Sequence, residues 1–193
     1  YRAGLAVIDG LRNTAIGGDA LITDCGNDNT AVGYEAGNLL TGASNVFIGS
    51  YTADNATSVS SAVIIGSEAG RGVMDSDADG TVAIGTSALA VLTTGAGNTA
   101  VGHQALTTTT TGAYNTAVGY QAADVLPAGA SSNTAIGRSA LGAGNNASTD
   151  HNTCLGDEAG GGITTGNQNT CIGSGTNPSA VGGVRGCCRS LVG

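Results

Sequence analysis

The chain has 193 residues, with 34 glycines, one phenylalanine, no tryptophan and only 10% charged residues. So few large side chains argue against an ordinary globular core, and so few charges argue against a charge-rich disordered tail. Fourteen acidic against six basic residues give a net charge of −8, which argues against binding nucleic acid because phosphate contacts need clustered Lys and Arg.

Three segments follow one another along the chain. Residues 1–12 are predicted to be an N-terminal lead-in strand, since Gly4-Leu-Ala-Val-Ile8 is apolar. Residues 13–176 form a repeat domain, and residues 177–193 form a C-terminal segment that contains cysteines. We expect no membrane insertion, because no apolar run reaches the length that crosses a bilayer.

The repeat domain is built on the motif Asn-Thr-Ala-(Ile/Val)-Gly, which occurs in five complete and five degenerate copies spaced 16 to 19 residues apart. Helix-pair repeats need about 33 residues or more, so this period is too short for them. It fits one coil of a parallel β-solenoid, with two short strands and two turns in each coil. The sequence therefore predicts an all-β fold of about ten stacked coils. The closing glycines are Gly17, Gly33, Gly49, Gly66, Gly85, Gly102, Gly119, Gly137, Gly156 and Gly173.

Stacking in register turns each motif position into a column of like side chains. The fourth position is always aliphatic, so we expect it to be buried as a core column. The third position is mostly Ala and points to the opposite face of the strand. We favour an arrangement in which Ala fills the cramped interior and the aliphatic column packs against the same column of another copy of the chain. The reverse arrangement, with the aliphatic column inside and Ala outside, would permit a monomer. The core column is Ile16, Val32, Ile48, Ile65, Ile84, Val101, Val118, Ile136, Leu155 and Ile172.

Two polar columns accompany the motif. The Asn at its first position is predicted to bond the turn backbone, or the Asn one coil above and below, as a ladder. The Thr at its second position suggests an ice-binding alternative, since regular Thr ladders on flat solenoids match ice spacing. Because these Thr share a strand face with the aliphatic column, we expect them to be partly buried.

One turn suggests a calcium site. Asp75, Asp77 and Asp79 stand in the sequence Asp-x-Asp-x-Asp-Gly, which opens a calcium loop because converging carboxylates suit a hard cation. Thr86 replaces the Glu that ends a standard EF-hand, so the alternative is a solvated acidic turn.

Five cysteines are disulfide candidates. Cys154 and Cys171 share a column on adjacent coils, where α-carbons about 4.8 Å apart fall within disulfide range. Without a bridge they replace Ala as small buried residues. Cys187 and Cys188 suit bonds to other chains or to Cys25 of a neighbouring subunit.

No catalytic constellation is present, so we expect no enzyme. The sequence contains no phosphate loop, no paired carboxylates at glycosidase spacing and no nucleophile with a recognisable base. Asn55 and Asn146 lie in glycosylation sequons within turn insertions.

The motif with its continuation, as in Asn98-Thr-Ala-Val-Gly-His-Gln-Ala-Leu106 and Asn115-Thr-Ala-Val-Gly-Tyr-Gln-Ala-Ala123, resembles repeats of bacteriophage tail-fibre proteins. It is also similar to the head repeats of trimeric autotransporter adhesins, which form a left-handed parallel β-roll. The resemblance covers residues 13 to about 175. It implies a left-handed homotrimer that forms a rigid fibre on a virion or cell surface, outside the cell.

Four functions follow from these observations. The first is a structural shaft, tail-fibre-like or adhesin-like, that associates with itself. The second is an extracellular filament subunit that stacks end to end. The third is recognition of a glycan or receptor by turn residues, for which Tyr34, Tyr51, Tyr114 and Tyr120 are available. The fourth is ice binding through the Thr column.

Overall fold

A computed structural model shows an all-β solenoid in which every strand lies parallel to its neighbours in a single sheet. The structure describes residues 2–142, 149–164 and 166–177, together with the backbone of 187–188. The sheet order follows the chain order, so each coil lies directly on the one before it. The prediction of a parallel β-solenoid is confirmed.

Each motif copy forms one strand of three residues. Register pairing joins equivalent motif positions throughout, as in Ala100 with Ala117. The strands are β1 (Thr14–Ile16), β2 (Thr30–Val32), β3 (Val46–Ile48), β4 (Val63–Ile65), β5 (Val82–Ile84), β6 (Thr99–Val101), β7 (Thr116–Val118), β8 (Thr134–Ile136), β9 (Thr153–Leu155), β10 (Thr170–Ile172) and β11 (Cys187–Cys188). A short 3-10 helix, Ser76–Ala78, lies between β4 and β5.

The return half of each coil consists of turns, so the prediction of two strands per coil is wrong for the described residues. The reason is a repeated left-handed backbone: Gln104 has φ of 57° and Leu106 has φ of 53°, which a β-strand does not accommodate. Hydrogen bonds nevertheless join successive return halves. The Gln104 N–H donates to the Thr86 carbonyl below, and the Leu106 N–H donates to the Ala122 carbonyl above.

Residues 2–12 form turns and bends rather than the predicted lead-in strand. Their backbone repeats the return half of a coil, because the Gly4 N–H donates to the Ala20 carbonyl at 2.8 Å just as the Leu21 N–H donates to Ala36. Val7 and Ala15 are partly buried and pack against the core. At the other end, β11 pairs with β10, so the cysteines of the C-terminal segment extend the same sheet.

The core lies inside the coils and is built from the third motif position, as predicted, together with the Ala of the return half. From β2 to β10 the third position is fully buried. Large residues at this position are matched by glycine nearby: a Cβ on Gly37 would lie 2.8 Å from the Phe47 ring, and one on Gly70 would lie 2.8 Å from Ile64 Cδ1. The narrow interior thus keeps its width where Ala is replaced by Phe or Ile.

Candidate interaction surface

The outer face of the sheet consists of the first and third residues of β1 to β10. It contains the predicted core column, which is therefore not part of the core of the chain itself. All twenty side chains are half-buried or exposed; Ile16, for example, is 59% exposed and Ile172 is 50% exposed. The orientation with Ala inside and the aliphatic column outside is confirmed, whereas covering of that column by a second copy stays a prediction.

The outer face carries no charge over its whole length. Strand residues are Thr, Val, Ile and Leu on this face, and ten coils at about 4.8 Å give a surface roughly 45 to 50 Å long. The middle of the face is entirely aliphatic, because Val46, Val63 and Val82 replace Thr in β3 to β5. Sequence reasoning did not single out this central patch, although the degenerate motif copies contain it.

Charged residues beside the outer face are paired across coils. Arg12, two residues before β1, donates from Nη2 to Asp28 Oδ2 at 2.7 Å. This hydrogen bond from the guanidinium lowers the pKa of Asp28 below its ordinary value. Arg138, two residues after β8, forms ion pairs with Asp157 and Glu158. These two groups of ion pairs place compensated charge beside the uncharged strip at its two sides.

The Asn column forms the predicted ladder at the entrance to each strand. Asn115 donates from Nδ2 to Asn98 Oδ1 at 3.2 Å and to the Ala130 carbonyl at 2.8 Å, and its Oδ1 accepts the Asn133 N–H at 3.0 Å. These side chains are buried and their polar groups are used within the chain. The ladder is interrupted where Ala62 and Thr81 occupy the column. The Asn column therefore stabilises the fold, since its side chains hydrogen-bond within the chain.

Aromatic side chains of the turns contact one another. Tyr34 and Tyr51 meet edge to face with ring centroids 5.3 Å apart, and Arg71 lies over the Tyr51 ring. His103 and Tyr120 stack with centroids 5.3 Å apart and an interplanar angle of 7°. Because sugar rings pack on aromatic faces, this mutual stacking reduces the area open to a glycan. Tyr114 is 66% exposed, and the glycan role stays a prediction.

The carboxylates of the predicted calcium loop serve the loop itself. Asp75 caps the 3-10 helix by accepting the Asp77 N–H at 2.9 Å, and Asp79 accepts the Ser60 N–H at 2.7 Å. Within the part of the chain that the structure describes, no three His, Cys, Asp or Glu side chains gather as a group that could hold a metal ion. The loop geometry therefore gives the calcium hypothesis no support.

The remaining predicted residues fall in separate places. Cys154 and Cys171 are register partners and both are fully buried. Cys25 is buried in the first coil, at the opposite end of the sheet from β11, and burial raises the pKa of its thiol. Asn55 is half-buried, and its amide donates to Asp54 and to the Arg71 carbonyl. Asn146 lies outside the described residues.

Comparisons with protein-family models, with curated proteins and with solved structures give no match. The likeness to tail-fibre and adhesin repeats therefore stays an expectation from the motif. The described residues include no helix with the length and hydropathy of a membrane span.

Proposed function

We propose that the chain is a rigid shaft of a surface-exposed fibre, assembled from parallel copies that cover one another's outer faces. The observation that carries the proposal is the outer face itself: an uncharged, half-exposed aliphatic column that continues over ten coils. Soluble monomers rarely expose continuous apolar surfaces of this kind, and a repeated surface is most simply covered by the same surface on another copy.

The energetics favour association through many small contacts. Covering the exposed part of each aliphatic side chain contributes on the order of 1 kcal/mol, hence about 10 kcal/mol over ten coils. That sum is comparable to the roughly 4–15 kcal/mol lost when molecules associate. Assembly by this face therefore depends on its full length, and one unpaired charge within it is expected to prevent assembly.

Stiffness follows from the hydrogen bonding of the coil. Strands and return halves are both joined to the next coil, so bending the rod at any level must strain two sets of bonds. The free energy of unfolding of such a stack is approximately the sum of the contributions of the single coils and of the contacts between neighbouring coils. A short chain can therefore build a long, uniform rod. A shaft that holds a tip away from a virion or cell surface needs this property.

A charge placed in the outer face tests the proposal. Val101→Asp puts a carboxylate in the aliphatic column, and Val91→Asp puts the same change on an exposed Val of a return half. Sedimentation equilibrium is expected to show an oligomer for the unaltered chain and for Val91→Asp, and a monomer for Val101→Asp. Circular dichroism confirms that both variants stay folded. An unaltered chain that is monomeric, or a Val101→Asp oligomer of unchanged mass, contradicts the proposal.

The Thr residues of the outer face favour ice binding as a second candidate. Thr99, Thr116 and Thr134 are register partners and all are partly exposed on a face that carries no charge. Thermal hysteresis measured on the unaltered chain and on Thr116→Leu separates the two functions. A monomer whose hysteresis falls in Thr116→Leu supports ice binding, whereas an oligomer without hysteresis supports the shaft.

A further inference from the structure

The Asn ladder consists of two separate runs. Within each run the side-chain oxygen of one Asn accepts the backbone N–H of the next, as Asn98 Oδ1 accepts the Asn115 N–H at 3.0 Å. Ala62 and Thr81 occupy the column between the runs, at the entrances to β4 and β5. The contacts of the β5 coil with the β4 coil and with the β6 coil therefore both lack the ladder bond. The runs are Asn13, Asn29 and Asn45, and Asn98, Asn115, Asn133, Asn152 and Asn169.

The residues in the gap do not replace the missing acceptor. Ala62 has no side-chain oxygen for the Thr81 N–H. Thr81 has no carboxamide, and its hydroxyl donates to the Ala78 carbonyl at 2.7 Å within its own turn. Thr81 and Asn98 are both fully buried, so bulk water does not reach their backbone N–H groups. A buried N–H group that loses its acceptor lowers the stability of the coil that contains it.

The contacts β5–β6 and β7–β8 differ mainly in the ladder. Their core residues are the same, because Ala83 pairs in register with Ala100 and Ala117 pairs with Ala135, and all four are fully buried. Their third strand residues are Ile and Val in both cases. The ladder bond is present at β7–β8 and missing at β5–β6. These two contacts therefore form a matched pair within one molecule.

A carboxylate near the gap does not compensate for it. Asp79 accepts the Ser60 N–H at 2.7 Å between the β4 and β5 coils. Asp150 accepts the Ser131 N–H at the same distance between the β8 and β9 coils, where the ladder is unbroken. The carboxylate bond thus accompanies the ladder and is no substitute for it. Between the β5 and β6 coils the corresponding residue is Ala96, which has no carboxylate.

We propose that the β5 coil is a joint in the solenoid, where neighbouring coils separate more often than at other interior coils. Backbone hydrogen bonds continue across the joint, so the stack stays one body, but the bonds of the ladder are missing on both sides. Local opening is easiest where the fewest bonds hold a segment, and each coil contacts only its neighbours. The lower stability therefore stays local. The inference concerns one chain and does not depend on the proposed shaft.

Hydrogen exchange measured by NMR on the folded full chain tests the joint. The Gly102 N–H donates to the Ile84 carbonyl at 2.7 Å across β5–β6, and the Gly137 N–H donates to the Val118 carbonyl at 2.8 Å across β7–β8. These two amides have the same residue type and the same strand contact. We expect Gly102 to exchange at least about tenfold faster than Gly137, which is the effect of one buried hydrogen bond.

Restoring the ladder is expected to close the joint. Thr81→Asn supplies a side-chain oxygen for the Asn98 N–H. Its amide nitrogen can donate to the Ala78 carbonyl, three residues earlier, as Asn98 donates to the Gly95 carbonyl in its own turn. We expect the Gly102 exchange rate to fall about tenfold in Thr81→Asn. Thr81→Val adds no acceptor and is the control, in which we expect no such fall.

Breaking the ladder elsewhere is expected to create a second joint. Asn115→Ala removes the acceptor of the Asn133 N–H, so we expect it to raise the exchange rate of Gly137 more than that of Gly102. This variant keeps the proposal testable if Thr81→Asn does not fold, which circular dichroism shows. Equal exchange of Gly102 and Gly137 in the unaltered chain overturns the proposal. An unchanged Gly102 rate in folded Thr81→Asn, an equal fall in Thr81→Val, or an unchanged Gly137 rate in Asn115→Ala also overturns it.

Discussion

Replacing Asn115 by Ala removes a middle member of the Asn ladder. Its side chain takes part in four hydrogen bonds: two to Asn133, one to Asn98 and one to the Ala130 carbonyl. The buried Asn133 N–H and the Ala130 carbonyl both lose these partners. At about 1 kcal/mol for each hydrogen bond, and more where a buried group is left unsatisfied, we expect the free energy of unfolding to fall by about 4 kcal/mol.

Asn13 provides the matched control, because it stands at the end of the ladder. It donates to the Gly26 carbonyl and accepts the Asn29 N–H, so Asn13→Ala removes half as many bonds at a partly exposed site. We expect this variant to lose about 2 kcal/mol. Equilibrium urea unfolding at one fixed protein concentration measures both. Equal losses for Asn13→Ala and Asn115→Ala would refute the reasoning that buried ladder bonds hold the strand entrances.

Three further changes test packing and charge. Gly37→Ala is expected to lower the free energy of unfolding by about 1–3 kcal/mol, because the new methyl group meets the Phe47 ring. If Gly37→Ala lowers the free energy of unfolding by the same amount in a Phe47→Leu background, the ring is not the cause. Thr109→Val is expected to raise the free energy of unfolding by about 1 kcal/mol, since the buried Thr109 hydroxyl has no hydrogen-bond partner among the described residues. A lower midpoint of urea unfolding for this variant would contradict the prediction. Arg12→Gln is expected to raise the pKa of Asp28 toward the ordinary value of an aspartate, which carboxyl NMR measures. The pair stabilises the fold above that ordinary pKa, and the stabilisation is lost as pH falls through the lowered pKa, so an unchanged Asp28 titration would rule out the pairing.

Much of the fold was predictable because stacking in register makes every motif position a column. The alternation of small and aliphatic residues across one strand, as in Ala100 and Val101, favoured the orientation that the structure shows, with Ala inside, although it also allowed the reverse. The repeated Asn likewise indicated a ladder that the contacts confirm. The physical reason is that a solenoid repeats one environment, so ten weak local signals describe a single structure.

The return half was not predictable from the same columns. Its left-handed residues include Glu35 and Gln104, side chains that give no sequence signal for positive φ, whereas Gly or Asn would have. Calcium binding by the Asp75 loop stays a prediction for a related reason. Carboxylates in a tight turn bind either a cation or backbone N–H groups, and the sequence does not distinguish these uses.

The mass of the unaltered chain in dilute solution tests the central claim most directly. One chain is 18.5 kDa, and an outer face covered by sister molecules requires a multiple of that mass, threefold if the likeness to trimeric repeats holds. We predict by sedimentation equilibrium an assembly at a multiple of that mass, which dissociates toward single chains only on dilution, because the gain from covering the outer face is comparable to the cost of association. A single species at the mass of one chain at every concentration would contradict the account, because the aliphatic column would then face water along its whole length.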